Sequence, residues 1–307
     1  MKSINNDKTD MVISYVPHGI NPEIYKPLPV PVDFKTKIFG DKKYKFVIFW
    51  MNRNIKRKQP SDVIWAYSKF GDMLPEKDKD SICLLMHTNP VDENGTDLPA
   101  VKNCICPDYD IIFSTSRMNQ ENLNHLYNLS DITINIAGNE GFGLTTAESI
   151  MTETPTIQTV TGGLQDQCGF KRDIAGENET ENWVEFTADD YKEIGTLHDY
   201  RKWEHKVKHG DWVKPVWPRV RTMVGSVPTP YIIDDKVDVT EVADAIKYWY
   251  DKTPADRKKR GKIGRKWMLN EGGLHSDNMC KTMADSIELT LKTWKPKKRW
   301  EIYKINQ

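Results

Sequence analysis

The 307-residue sequence has no excess of either charge: 44 Lys and Arg are matched by 44 Asp and Glu. It carries no net field to draw in nucleic acid or an anionic membrane, so a polyanion-binding role is disfavoured. No apolar run approaches the ~20 residues of a membrane span. The first ten residues, MKSINNDKTD, are polar and lack the apolar stretch of a secretory signal. Cysteine is scarce, with five in all. An odd, small number points to reduced thiols and a cytoplasmic setting instead of a disulfide framework. Cys104 and Cys106 lie close enough for a metal pair, but no second pair has ligand spacing. Structural or free thiols are expected there, and no metal site. There is no internal repeat and no low-complexity tract. The length admits one large domain or two modest ones.

What the sequence does have is residues 138–155, GNEGFGLTTAESIMTETP. Before it, Ile132, Ile134 and Ile136 alternate with polar residues, the pattern of a strand. Gly138, Gly141 and Gly143 fall in the turn, and Leu144, Ala147, Ile150 and Met151 recur at helical spacing up to the Pro155 stop. Strand, glycine turn and helix start together collect anions, because free backbone N–H groups and the helix dipole converge there. Glycine also lets a ligand approach the backbone. Glu140 and Glu148 frame the turn with seven residues between them. A carboxylate accepts hydrogen bonds from hydroxyls, so the mixture suits a ligand carrying both phosphates and sugar hydroxyls. For either Glu alone, a solvated surface position is the commoner fate.

The string EGFGLTTAESIMTETPTIQTVTGGLQD resembles the signature of retaining glycosyltransferases of the GT-B fold, particularly glycosyltransferase family 4 (group 1). That family has two glutamates separated by seven residues, then a Gly-x-Pro segment and a Gly-Gly loop. Here Glu153 takes the place of the usual glycine before Thr154-Pro155. Residues 11–31, MVISYVPHGINPEIYKPLPVP, open as a short apolar strand running into Pro17-His18-Gly19 and resemble the family's interdomain connection. The resemblance therefore covers the C-terminal, donor-binding half of the fold and almost all of this chain. His18 is left between lining the cleft and packing a turn.

FVIFWM (residues 46–51) reads as a buried parallel strand. The basic stretch after it ends at Pro60, which suits a helix start, and Val63, Ile64, Ala66, Tyr67 and Phe70 give that helix an apolar side. Cations thus lie at the C-terminal end of a strand, where open α/β sheets bind ligands. The resemblance implies that Arg53 and Lys58 contact the diphosphate of a sugar nucleotide, with Arg57 able to substitute for either. Fixed cations would stabilise the charge that grows on the leaving diphosphate and replace a divalent metal. It also implies that Glu140 and the turn Gly141, Phe142, Gly143, Leu144 and Thr145 hold donor sugar and phosphates. Glu148 accepts ribose hydroxyls in the same reading, and Gly162 and Gly163 lie near the donor sugar. Asp108-Tyr109-Asp110 has the letters of a metal site but precedes a strand. No cofactor is implied beyond the substrate itself, such as a UDP-sugar or GDP-sugar.

ICLLM (82–86), residues 111–113 and residues 156–160 read as further strands, with helices between. His87-Thr88 receives no chemistry, and the loop from Ser116 lies where the family's nucleotide base stacks. The expectation is an α/β, Rossmann-like, doubly wound parallel sheet of the GT-B C-terminal type. Residues 1–31 are linker-like, 32–290 the nucleotide-sugar-binding domain, and 291–307 a basic tail. Residues 167–235 read as a long insertion holding Trp183, Trp203, Trp212 and Trp217. These tryptophans suit either recognition or packing onto the core. His205 and His209 read as a solvated helix face. Helices are expected at 239–252, at 254–270 and around Met279, Met283, Ile287 and Leu291, a stripe read as core.

The expected activity is transfer of a sugar from a nucleoside-diphosphate sugar to an acceptor hydroxyl with retention. The alternative is a non-catalytic nucleotide-sugar-binding subunit that needs a separate N-terminal-domain partner. A partner chain or self-association would supply that half, and the acceptor stays open. Nucleic-acid binding through the basic tail is weak on net charge.

Overall fold

A computed structural model of the chain describes residues 12–173, 182–187, 189–190, 201–204 and 206–295. Six strands form its main sheet: β1 (Phe46–Met51), β2 (Ile82–His87), β3 (Ile111–Ser114), β4 (Ile132–Asn135), β5 (Thr156–Thr159) and β6 (Val213–Val216). The spatial order is β3-β2-β1-β4-β5-β6, and every neighbouring pair is parallel. The longer helices are α1 (Val32–Phe39), α2 (Pro60–Asp72), α3 (Leu98–Ile105), α4 (Gln120–Leu129), α5 (Leu144–Met151), α6 (Val239–Tyr250), α7 (Pro254–Leu269) and α8 (Ser276–Thr293).

Parallel strands need crossovers, so helices cover both faces and each strand is buried on both sides. Along β1 the period of two is plain. Phe46, Ile48 and Trp50 enter one core with Tyr67 and Phe70 of α2 and Ile246 and Trp249 of α6. Val47 and Phe49 enter a second core with Tyr127 of α4, Ala147 and Ile150 of α5, and Met268 of α7. Each large side chain wholly removed from water contributes about 2 kcal/mol. Helix starts follow local chemistry: Asp97, Asn119, Asp238 and Thr253 cap α3, α4, α6 and α7 with side-chain acceptors. Asp131 ties the start of β4 to the amide of Val47 (2.8 Å) and to Arg257 (2.6 Å). Glu153 has φ +64°, so a glutamate occupies the left-handed position of the turn after α5.

The order reverses between β1 and β4. Chains leave these two strands in opposite directions, which opens a crevice over their carboxyl ends.

Several expectations change. Residues 12–19 form no strand. Ile20 alone makes a parallel bridge to His275, giving and receiving one backbone bond at 3.0 Å, because its neighbour is a loop and not a sheet edge. The stripe on α8 is not core: the helix buries no residue, and Met283, Ile287 and Leu291 are exposed. Its period marks an apolar face, but no described element covers that face. His205 and residues 296–307 lie outside the described residues. His209 follows the short strand Val207–Lys208 instead of riding a helix, and burial lowers its pKa.

The stretch 167–235 supplies β6, which extends the sheet beside β5. It also supplies a three-stranded antiparallel patch (Lys171–Asp173, Trp183–Glu185, Val207–Lys208). The hairpin of β7 (Val220–Met223) and β8 (Ile233–Lys236) completes it. Trp212 and Trp217 are buried; Trp212 stacks on Trp267 and Trp217 on Phe170, which favours the packing reading for this pair. Trp203 meets Phe186 edge-on, and the ammonium of Lys208 lies 3.9 Å from the Trp183 ring centre.

Candidate functional site

The carboxyl ends of β1, β2 and β3 and the start of α5 enclose an open cleft of about 470 Å³. Met51, Asn52 and Arg53 follow β1. His87 and Thr88 close β2, and Ser114 to Arg117 close β3. Leu144, Thr145 and Glu148 come from α5. Every wall is thus a strand end or a helix start, where backbone groups lack sheet or helix partners.

α5 begins at Gly143, which has φ +91°. The first intrahelical bond runs from the Ala147 amide to the Gly143 carbonyl, leaving the first-turn amides free to meet an anion. The hydroxyl of Thr145 donates to the Met51 carbonyl (2.8 Å) and pins this helix start to the end of β1. Gly141 faces open space, with no heavy atom within 4 Å of where a Cβ would stand. Gly162 and Gly163 are glycines for the opposite reason. A Cβ on Gly162 would stand 2.2 Å from the Glu140 carbonyl oxygen, and one on Gly163 2.3 Å from that of Gly141. The Gly-Gly loop is therefore pressed against the glycine turn, and the Gly163 amide donates to Glu140 O (2.9 Å).

The two framing glutamates differ. The Glu148 carboxylate accepts from the Tyr127 hydroxyl (2.6 Å) and bonds Tyr25. Its pKa is raised because burial outweighs those two hydrogen bonds. Glu140 pairs with Lys58 and lies 3.4 Å from Arg57, whose guanidinium also donates to the Asn139 carbonyl (2.8 Å). Desolvation lowers the Lys58 pKa, overriding the opposite pull of Glu140, and Arg57 adds to the lowering. Arg53 lies at the cleft wall, its guanidinium forked on Asp92 at 2.9 and 3.4 Å.

The sequence-named residues thus fall into three groups. Arg53, Leu144, Thr145 and Glu148 line the cleft. Lys58, Arg57 and Glu140 form one ionic cluster, while Gly143, Gly162 and Gly163 serve close packing. Phe142 is buried against His18, ring centres 5.1 Å apart, so His18 packs on the glycine turn. Asp110 is held by Lys42 and Tyr44, and Tyr109 by Asp72, all away from the cleft residues. Cys106 is buried in the first core and Cys104 is exposed.

Sequence reasoning missed Tyr25 and Tyr127 around Glu148, Asp92 on Arg53, and His87 with its Ser114 partner (3.0 Å) in the wall. Only His87-Thr88 left a signal, a polar pair closing an apolar strand. No helix among the described residues is long and apolar enough to cross a membrane. No group of three or more His, Cys, Asp or Glu among them is placed to hold a metal ion.

This sheet order, with its crevice between β1 and β4, defines a doubly wound α/β domain, and solved structures narrow the type. A sucrose-phosphate synthase from Thermosynechococcus elongatus matches 91% of this chain and 53% of its own, with TM-score 0.59 and 15% identity. HepE from Anabaena, solved with UDP and glucose, matches 88% of this chain and 55% of its own, with TM-score 0.56 and 12% identity. The C-terminal domain of a glycosyl transferase group 1 family protein from Francisella tularensis matches 82% of this chain and 98% of its own, with TM-score 0.51 and 15% identity. The chain spans about half the length of the first two. No family model and no curated protein matches the sequence. The fold is that of a GT-B Rossmann-like domain, and its structural neighbours include glycosyltransferases.

Proposed function

We propose that the chain binds a nucleoside-diphosphate sugar in the cleft between the ends of β1, β2 and β3 and the start of α5 and serves transfer of the sugar to an acceptor hydroxyl, with retention. The observation that carries this reading is the joining, in one cleft, of a free helix start at Leu144–Thr145, a cation at Arg53 and a buried hydroxyl acceptor at Glu148. The free amides suit phosphate and the carboxylate suits ribose hydroxyls. A bound diphosphate competes with Asp92 for Arg53 and with Glu140 for Lys58. As the bond from the anomeric carbon to the diphosphate oxygen breaks, these cations and the α5 amides offset the charge left behind. The acceptor oxygen takes that position on carbon, and its proton passes to the departing diphosphate oxygen. Glu140 orders the glycine turn beside the sugar. Fixed cations fill the role a divalent metal would otherwise hold, and the setting is the cytoplasm, as the few cysteines imply.

A second reading rests on length. Matching about half of its larger neighbours, the chain acts as a donor-binding subunit whose acceptor half comes from another domain, a partner chain or a second copy.

Calorimetric titration with UDP, GDP, ADP and their sugar conjugates tests both. One nucleotide binds to the wild type and is lost in Arg53→Ala/Glu148→Ala. Absence of binding at millimolar ligand overturns the donor site in this chain. Binding without turnover on any acceptor favours the subunit reading.

A further inference from the structure

We infer that Asp235 is a positioning residue for the site. It is carried on the β7–β8 hairpin and holds together three loops beside the cleft. Its backbone carbonyl accepts from the Gln59 side chain (2.9 Å), at the end of the basic segment that follows β1. Its backbone amide donates to the Gly138 carbonyl (2.8 Å), at the start of the glycine turn. Its carboxylate accepts from the Thr161 hydroxyl (2.8 Å), at the head of the Gly-Gly loop. Arg221, across the hairpin, forks onto the same carboxylate at 2.7 and 3.0 Å. Asp235 is 2% exposed.

The contacts chain onward to the chemistry. Thr161 precedes Gly162 and Gly163, which press on the backbone of Glu140 and Gly141. The Gly138 amide donates to the Arg57 carbonyl (2.7 Å), tying the glycine turn to the basic segment. A Cβ on Gly138 would stand 2.0 Å from the Asp234 carboxylate, so the hairpin also presses directly on the turn. Gln59 has φ +51°, a strained backbone for a non-glycine residue. The strain sits between Lys58 and Pro60, and the Asp235 carbonyl holds the side chain of the strained residue itself.

Stability alone does not account for this arrangement. A buried ion pair returns little net stability over apolar packing of the same volume, whereas directional donors dictate orientation. The hairpin is also no part of the six-stranded sheet, and its outer end is bare, with Val227 at 99% exposure. Its inner end is where it acts, through Asp235 on Gly138 of the glycine turn and on Thr161.

The inference rests on the donor reading, and its test separates the two. Thr161→Val removes one tie to the Asp235 carboxylate, Thr161→Ser keeps it, and Asp235→Asn weakens the Arg221 fork. Amide hydrogen exchange is followed by mass spectrometry, with thermal melting and titration with the nucleoside diphosphates UDP, GDP and ADP. In Thr161→Val, exchange over 138–143 and 161–163 rises about tenfold, the worth of one buried hydrogen bond. Exchange in β1 and β2 stays at the wild-type level, and Thr161→Ser behaves as wild type. Asp235→Asn shows the same local pattern more strongly, and nucleotide affinity weakens in step with loop exchange. The inference is overturned if the valine and serine variants exchange alike in these loops, or if protection falls equally in β1 and β2. If the wild type binds none of the nucleotides, the donor reading fails while exchange still decides whether Asp235 holds the loops.

Discussion

Glu140 and Glu148 stand on the two sides of one glycine turn, and their neighbourhoods differ in kind. Glu140 meets cations, Lys58 and Arg57, contributed by the segment after β1. Glu148 meets phenols, Tyr127 and Tyr25, contributed by α4 and the N-terminal segment, and burial lifts its pKa. The same side chain is thus a pinned counter-charge in one place and a poorly hydrated acceptor in the other. The first is tied to the basic segment after β1; the second lines the cleft. Motif spacing alone does not distinguish these roles.

The comparison breaks most sharply at Lys58. Lys58→Ala leaves a mostly buried Glu140 with Arg57 alone and is expected to cost about 2–3 kcal/mol by chemical denaturation. Lys58→Ala/Glu140→Ala is expected to recover most of that loss, because no stranded charge remains. Nucleotide binding is not recovered with it. A double variant as unstable as the single would show that the cluster is not the unit it is taken to be.

Glu148→Gln is next. It keeps the shape and loses the charge, and nucleotide affinity is expected to fall about tenfold. Its effect on stability has the opposite sign to that of Lys58→Ala. A carboxyl whose folded pKa is raised stabilises below its unfolded pKa, and that contribution is lost as pH rises through the folded value. Glu148→Gln therefore gains on the wild type as pH rises from acid to neutral in melting experiments. A parallel pair of stability curves would contradict the buried-acceptor description.

Asp166 sharpens the same contrast through burial. Burial alone pushes its pKa up to about 6. Between about pH 4 and 6 the folded chain holds a proton that the unfolded chain releases, so the wild type loses stability across that window. Asp166→Asn cannot titrate, and its melting temperature is expected to climb relative to wild type over the same interval.

The smallest effect is expected at Glu153, just past α5, where a carboxylate pairs with Lys258 at 3.0 Å from a left-handed backbone. Glu153→Gly relieves a strained φ but loses the pair and adds freedom to the unfolded chain. The net change in denaturation free energy is expected to stay within about 1 kcal/mol.

Much of the fold was legible. β1 and β2 are apolar runs, Pro60 and Pro254 open their helices, and the glycine turn between β4 and α5 falls where its residues place it. These are local matters of period, cap and backbone freedom. The α8 stripe was misread because period reports that a face is apolar and not what it meets. The ties of the site were hidden for a related reason: Lys58 and Glu140 are 82 residues apart, and Gln59 and Asp235 are 176 apart. Nothing in either segment names the other.

The sequence by itself determined the alternation of strands and helices, the glycine turn and the cations that follow β1, because each depends on neighbours within a few positions. Only the tertiary structure decided which carboxylate meets a cation and which meets a phenol, that Arg53 rests on Asp92, and that a hairpin from 220–236 grips the loops beside the cleft. Those outcomes depend on which strand ends the crossovers bring side by side. Burial and charge then act on whatever side chains meet there.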